Sequence, residues 1–283
     1  MTDDDRLRSL LREWWHLVPT AIARHAGGLL SQAWDVLAGN DRYVVRLAET
    51  DRLPLEAGLA AADHARGRGV AAGCPLRTLR GELTVETPAG VLAVLRRVPG
   101  RPLVAEDPVD QQFWGDRLGA VHTVLQGFHH PGLRPWRMLD ANAAHLEVEP
   151  WLRGAIADTV TATTRLTVTD RLTYGVLHGD PAPGDFVVDP ATGRTGVLDW
   201  GGRGIGPLVY DVAAAILYAG GPDASGDLVG GYLAAGPVSR DELDAVLPVL
   251  LRFRWAVQAD RYARSDDRAG LARARAALES LAG

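Results

Sequence analysis

Hydrophobic and polar positions follow short, alternating periods in the first hundred residues. Apolar side chains recur at helical spacing between Arg6 and Trp15, and the Ala- and Leu-rich stretch from Pro54 to Arg68 has the same character. Two apolar runs flank the turn-forming tripeptide Gly39-Asn40-Asp41, which predicts a hairpin. The predicted elements are a helix over 6–15, strands over 27–36 and 43–47, a helix over 54–68, and strands over 82–87 and 91–96.

The pattern changes after Val98-Pro99-Gly100-Arg101-Pro102, a stretch that breaks strands and reads as a linker. Beyond it, helical spacing dominates, and one β-like island over 186–198 contains the turn Pro190-Ala191-Thr192-Gly193. The predicted helices cover 110–125, 150–165, 207–218 and 240–264. We therefore expect an α+β protein in which a small N-terminal antiparallel sheet lobe, 1–98, precedes a larger, mainly helical C-terminal lobe, 99–283.

Composition and charge exclude several classes of function. All 30 basic residues are Arg, which excludes a lysine-based phosphate loop or Schiff base. The net charge of −5 argues against a nucleic-acid partner, and the single cysteine, Cys74, excludes a disulfide framework. The acidic N-terminus does not resemble a signal peptide, and no apolar run is long enough to span a membrane. These features predict a cytoplasmic protein without a membrane partner; they leave its oligomeric state open.

Three carboxylates mark the most informative segment of the chain. Asp180, Asp185 and Asp199 each stand at the end of a short β segment, and these segments must fold back on one another. Clustered carboxylates repel unless one is protonated or a cation neutralises them. Oxygen-only ligands favour a hard ion such as Mg²⁺ over zinc. Phosphoryl transfer fits this arrangement, because it needs a base beside the acceptor hydroxyl and a metal against the phosphates.

The same residues resemble a known family. His178-Gly179-Asp180, then Asp185 five residues on, and then Val197-Leu198-Asp199-Trp200 are similar to the signatures of the aminoglycoside phosphotransferase and choline kinase-like group. The resemblance extends over most of the chain and implies a two-lobed, protein-kinase-like fold. It makes Asp180 the catalytic base, Asp185 and Asp199 the ligands of Mg²⁺, and His178 a support for the loop.

The resemblance also implies a nucleotide site in the N-terminal lobe, with ATP or GTP as phosphoryl donor. Gly27-Gly28 and the following strand, with Ser31, look like the hairpin that covers the nucleotide. Arg46 falls where the family places its phosphate-reaching cation, and Glu56 matches the acid that pairs with that cation. Val98 belongs to a segment that resembles the adenine-contacting hinge. In the C-terminal lobe, Asp211 matches the residue that braces the catalytic loop.

One departure from the family pattern leaves a second hypothesis open. The family has Asn at the position of Asp185, so this chain adds a negative charge to the metal site. The leading hypothesis is a small-molecule kinase whose acceptor is an aminoglycoside-like antibiotic, an amino alcohol, a sugar or a homoserine-like compound. The alternative is a nucleotide-binding pseudokinase with a regulatory or binding role, and a more remote one is a structural domain without a nucleotide site.

The acceptor is the least specified part of the leading hypothesis. From Gly201 onward the chain has ten acidic residues and nine Arg, so its composition gives no support for a strongly cationic acceptor. Trp255, Gln258, Asp260 and Tyr262 are candidates for lining the acceptor cleft, although their helical spacing prevents all of them from facing it.

Overall fold

The computed structural model describes residues 3–25, 31–169, 172–200 and 204–281. The helices are α1 (Asp3–Trp15), α2 (Arg52–Gly67), α3 (Pro108–Val124), α4 (Leu152–Thr167), α5 (Val209–Tyr218), α6 (Gly226–Ala235), α7 (Arg240–Arg264) and α8 (Arg268–Ser280). The strands are β1 (Ala21–Arg24), β2 (Ser31–Ala38), β3 (Asp41–Ala48), β4 (Val85–Thr87), β5 (Gly90–Arg96), β6 (Arg101–Pro102), β7 (Arg134–Pro135), β8 (Tyr174–Val176), β9 (Phe186–Val188), β10 (Thr195–Val197) and β11 (Gly204–Pro207). Short 3₁₀ turns cover Ala144–Val148, Pro183–Asp185 and Pro222–Ala224.

The chain divides into two compact units. The first contains Met1–Pro102, Gly127–Arg134 and Gly184–Arg203, and the second contains Leu103–Gln126, Pro135–Pro183 and Gly204–Gly283. The α+β class is confirmed, because the first unit contains an antiparallel sheet and the second consists mainly of helices. The functional lobes 1–98 and 99–283 stay a prediction. No helix in the described ranges is both long and apolar enough to cross a membrane.

The first unit is built on a five-stranded antiparallel sheet in the order β1-β2-β3-β5-β4. The predicted hairpin joins β2 to β3, with Ala38 opposite Asp41. Helix α1 packs one apolar side against the sheet, where Leu11 and Val45 are both fully buried. The indole of Trp15 donates to the carbonyl of Leu76 at 2.8 Å, which fixes the end of that helix. Strand β1 was not predicted, because its four residues lie at the edge and are mostly exposed.

The expected linker contains a short strand, which corrects its interpretation as a simple connection. Arg101 and Pro102 form β6 and pair with Val188 and Val187 of β9. The predicted island is confirmed as the β9–β10 hairpin, so the three strands make a small sheet in the order β10-β9-β6. The parallel bridge between Ala72 and Val197 ties this sheet to the rest of the first unit.

The second unit contains the predicted helices and two that the sequence did not indicate, α6 and α8. Helix α6 was missed because its glycines have low helix propensity. Those glycines permit close packing: a Cβ on Gly231 would lie 2.4 Å from the carbonyl oxygen of Gln112 in α3, and one on Gly115 would lie 1.9 Å from that of Leu228 in α6. A three-stranded sheet in the order β7-β11-β8 leads into the segment that carries Asp180.

Candidate active site

The loop that carries Asp180 is held by the carboxylate of Asp211. This loop follows β8, and Gly179 adopts a φ of 89°, in the region that favours glycine. Asp211, in the first turn of α5, accepts hydrogen bonds from the backbone N–H of His178 and, at 2.9 Å, from that of Gly179. A buried carboxylate with these donors fixes the backbone immediately before Asp180.

Asp211 belongs to a fully buried polar network that the sequence did not reveal. Nε2 of His122 lies 3.1 Å from Oδ2 of Asp211, and Nδ1 of His122 lies 2.9 Å from the hydroxyl of Tyr232. Burial opposes ionisation of Asp211, but the hydrogen bond and charge of His122, with the amide of Gly179, outweigh it and lower the pKa of Asp211. The network therefore favours an ionised carboxylate beside the loop that carries Asp180.

The Asp180 carboxylate is anchored on one oxygen. Its Oδ1 accepts from Nη2 of Arg254 and, at 2.7 Å, from the hydroxyl of Tyr218. Burial and the hydrogen bond to Asp180 raise the pKa of Tyr218 to about 12, so this hydroxyl remains a donor at neutral pH. The Asp180 side chain is 52% exposed, whereas that of Arg254 is only 4% exposed. The carboxylate therefore stays accessible to a ligand, while Arg254 and Tyr218 set its orientation.

Arg254 was missed by the sequence reasoning, which considered its neighbours on α7 instead. Trp255 and Tyr262 pack partly buried against the apolar core formed by α4, α7 and α8. Asp260 pairs with Nε2 of His145 at 2.6 Å and with Nε of Arg264 at 2.9 Å. The partner of Arg254 lies 74 residues away in sequence, and no local motif signals such a pair.

In the first unit, Asp199 and Arg46 form an ion pair. Nη1 of Arg46 lies 2.6 Å from Oδ1 of Asp199, with side-chain exposures of 28% and 51%. Asp199 follows β10 and adopts a φ of 49°, a left-handed conformation that Asp tolerates better than most residues. The structure therefore joins the expected phosphate-reaching cation to the expected metal ligand.

Asp185 and Asp199 occupy neighbouring backbone segments of the first unit. The N–H of Leu198 donates to the carbonyl of Asp185 at 2.7 Å, which aligns the 3₁₀ turn ending at Asp185 with the residue before Asp199. Among the described residues, no group of three or more His, Cys, Asp or Glu side chains is assembled as a metal site. Mg²⁺ in nucleotide sites typically uses one or two carboxylates and takes other ligands from phosphates and water. Asp185 and Asp199 are therefore candidates for holding a divalent ion jointly with a nucleotide.

The hydrogen bonds of Glu56 go to residues other than Arg46, so the expected pair stays a prediction. Glu56 accepts from Nε of Arg52 at 2.8 Å and from the hydroxyl of Thr84 at 2.7 Å. Burial opposes its ionisation, but these two hydrogen bonds outweigh burial and lower the pKa of Glu56. The helix begins at Arg52, one turn before Glu56, so an i,i+4 arginine reaches the carboxylate first.

The remaining predicted nucleotide-site residues also lie in the first unit. Val98 is half-buried, and its Cγ1 would meet a Cβ on Gly196 at 2.5 Å, so the segment after β5 packs closely on β10. The backbone of Ser31 pairs with Ala48 at the start of β2. The predicted Gly27-Gly28 loop lies outside the described residues. His178 is buried, in keeping with a place in the loop's interior.

The sheet unit, the helical unit and the loop bearing Asp180 define a kinase-like fold of the type found in small-molecule phosphotransferases. A family model described as "Phosphotransferase enzyme family" matches residues 21–247, and the chain belongs to this family of enzymes, which transfer phosphoryl groups to alcohol groups. The resemblance inferred from the motifs is thereby confirmed. No curated protein sequence matches the chain.

Three solved structures with the same fold illustrate how far their sequences have diverged from this chain. An amicoumacin kinase, hAmiN, in complex with AMP-PNP, Ca²⁺ and Ami superposes with a TM-score of 0.80 at 15% identity, over 99% of this chain and 94% of that one. A microcompartment-associated aminopropanol kinase gives 0.75 at 17% identity, over 99% and 94%. The spectinomycin phosphotransferase APH(9)-Ia, in complex with ADP and spectinomycin, gives 0.65 at 14% identity, over 98% and 93%.

Proposed function

We propose that this phosphotransferase moves the γ-phosphoryl group of ATP or GTP to a hydroxyl of a small molecule, with Asp180 as the catalytic base. The observation that carries the proposal is the half-exposed Asp180 carboxylate, anchored on Oδ1 by Arg254 and Tyr218 at the end of a loop that Asp211 braces. Geometric control of a carboxylate beside an acceptor site is what phosphoryl transfer requires of the protein.

Asp180 orients the acceptor and receives its proton. The hydroxyl oxygen forms a bond to the γ-phosphorus, while the bond from that phosphorus to the β,γ-bridging oxygen breaks. The hydroxyl proton passes to Asp180, and the products are a phosphate monoester and a nucleoside diphosphate.

Arg46 is the proposed ligand of the nucleotide's phosphates, and Asp185 and Asp199 are the proposed ligands of the Mg²⁺ that accompanies them. Arg46 forms charge-assisted hydrogen bonds to phosphate oxygens, for which its planar guanidinium is well suited. Its present pair with Asp199 means that nucleotide binding exchanges one carboxylate contact for phosphate contacts. Asp199 and Asp185 would hold Mg²⁺, which when bound neutralises charge that develops on the phosphates. Donor nucleotides are abundant in the cytoplasm, which is where we place the reaction.

The acceptor class is drawn from the fold's relatives and from the chain's own charges. Amicoumacin, aminopropanol and spectinomycin name the first compounds to assay, and sugars and homoserine extend the panel. Two acidic residues on the proposed acceptor side already have basic partners. Asp180 pairs with Arg254. Asp260 pairs with His145 and Arg264. This compensation favours acceptors with one or few positive charges over polycationic antibiotics.

A binding assay followed by a turnover assay tests the proposal. We expect ATP or GTP with Mg²⁺ to raise the melting temperature and one acceptor class to yield a phosphate monoester by mass spectrometry. If neither ATP nor GTP stabilises the protein, both the phosphotransferase proposal and the pseudokinase alternative are rejected.

The substitution Asp185→Asn separates the enzyme from a pseudokinase. Asn at this position restores the family residue and removes one negative charge. In an active enzyme we expect the variant to keep turnover and to change its Mg²⁺ requirement. Metal-dependent nucleotide binding without turnover of any acceptor, in both forms, would favour the pseudokinase instead.

A further inference from the structure

We propose that Arg254, a residue of α7 distant in sequence from every phosphotransfer motif, is a positioning residue for the catalytic base. It fixes the Asp180 carboxylate through Oδ1, so that Oδ2 faces the acceptor hydroxyl. This proposal rests on the proposed function, because it assigns Arg254 a role in that reaction.

The surroundings of Arg254 show that its guanidinium is held rigidly. Nη1 donates to the hydroxyl of Tyr210 at 3.1 Å, and Nη2 donates to that of Tyr218 at 3.3 Å. The guanidinium carbon lies 5.8 Å from the ring centroids of both tyrosines. A planar cation contacted by two aromatic rings and two hydroxyls has little rotamer freedom.

The charge of Arg254 is compensated by Asp180. Among the described residues, Asp180 provides the sole ion pair of this guanidinium. Burial opposes the positive charge, but Tyr210, Asp180 and Tyr218 outweigh it and raise the pKa of Arg254. The cation therefore stays ionised in a site where water is largely excluded, and it acts on the base at all working pH values.

The two contacts at Asp180 are one-sided. Arg254 and Tyr218 both donate to Oδ1, and no donor from the described part of the chain reaches Oδ2. A carboxylate bound on one oxygen by two donors from different directions can neither rotate freely nor withdraw. Oδ2 is thus offered to a ligand in a fixed direction, which is the geometric condition for general-base catalysis.

Because Arg254 is buried and Asp180 is half-exposed, we expect substitutions of the two residues to affect stability differently. Replacing the half-exposed Asp180 by Asn leaves a buried cation uncompensated, whereas replacing Arg254 by Met leaves a carboxylate that water can solvate. We therefore expect Asp180→Asn to lower the melting temperature by about 5 °C or more, although surface substitutions of this kind are usually neutral. In the double variant Asp180→Asn/Arg254→Met, most of that loss should be recovered.

The test combines this stability cycle with steady-state kinetics. For Arg254→Met we expect kcat to fall by about 10- to 100-fold, while the acceptor KM and the nucleotide affinity change by less than about threefold. Arg254→Lys should recover only part of kcat, since an ammonium cannot donate along the same fork. Tyr218→Phe, which removes one of the two donors, should cost several-fold. Arg252→Met, on the same helix, is the matched control.

Four results would overturn the proposal. Additive melting-temperature changes in the cycle would show that Arg254 and Asp180 are not coupled. An unchanged kcat in Arg254→Met would show that the coupling does not serve the reaction, and a raised kcat would show that Arg254 restrains the base instead. A coupled cycle without wild-type turnover on any acceptor would overturn the proposed function and, with it, the catalytic role of Arg254, while the ion pair itself would stand.

Discussion

Asp211→Asn is a minimal change for which the structure predicts a large loss of stability. Asp211→Asn keeps the size of the side chain and removes its charge. The carboxylate accepts from the backbone N–H groups of His178 and Gly179 and contacts Nε2 of His122, all in a buried setting. An amide presents one acceptor oxygen and two N–H donors, so at least one of these partners loses its acceptor.

The expected magnitude follows from those lost contacts. A hydrogen bond to a charged group contributes about 1.5–3 kcal/mol, and an orphaned buried N–H costs about 1–3 kcal/mol. We therefore expect Asp211→Asn to reduce the free energy of unfolding by about 2–4 kcal/mol, or the melting temperature by roughly 5–10 °C.

Urea unfolding monitored by tryptophan fluorescence measures this loss, and calorimetry measures the melting temperature. Asp158→Asn is the matched control, because Asp158 is exposed on α4 and its replacement should change stability by less than about 0.5 kcal/mol. A loss for Asp211→Asn no larger than that of the control would refute the bracing role of this carboxylate.

Three further predictions concern the nucleotide cation, the helix packing and pH. Arg46→Ala should weaken ATP binding in calorimetry by about 10- to 100-fold, yet change unfolding by less than about 1 kcal/mol, because its pair with Asp199 is partly exposed; a large stability loss with intact binding would contradict this. Gly115→Ala places a Cβ 1.9 Å from a carbonyl oxygen of α6 and should destabilise by on the order of 3 kcal/mol. Gly154→Ala, whose Cβ would meet no atom within 4 Å beyond its chain neighbours and the backbone of its own helix, should stabilise by about 0.5–1 kcal/mol. The lowered pKa of Asp211 means that the folded state binds fewer protons than the unfolded state near the pKa of this carboxyl. Its contribution to the free energy of unfolding is therefore present above about pH 4 and is lost as the pH falls further. Urea titrations from pH 3 to 7 should show that stability depends less on pH in Asp211→Asn than in the wild type.

Local pattern was sufficient where the structure depends on local features. The hairpin of β2 and β3 and the island of β9 and β10 follow from apolar runs around turn residues, and both are present. The motif around Asp180 was sufficient to indicate the family, because its residues are close together in sequence. The same kind of evidence failed for α6, whose glycines disfavour a helix until α3 packs against them.

The partners of individual side chains were harder to predict from the sequence than the strands and turns. Glu56 was assigned to Arg46 by resemblance, whereas Arg52, one helical turn away, contacts that carboxylate. Arg254 reaches Asp180 across 74 residues, and His122 reaches Asp211 across 89. The partners of Arg254 and His122 depend on which distant segments meet in the folded chain, and spacing along a single sequence does not determine that.

The most direct test of the central claim is transfer of a labelled γ-phosphoryl group from ATP or GTP to the acceptor panel, comparing the wild type with Asp180→Asn at a temperature where both are folded. We predict acceptor-dependent formation of a labelled phosphate monoester by the wild type, and a loss of about 100-fold or more in the variant. Transfer at the wild-type rate in Asp180→Asn would contradict the account, because the reaction would then proceed without the carboxylate to which we assign it.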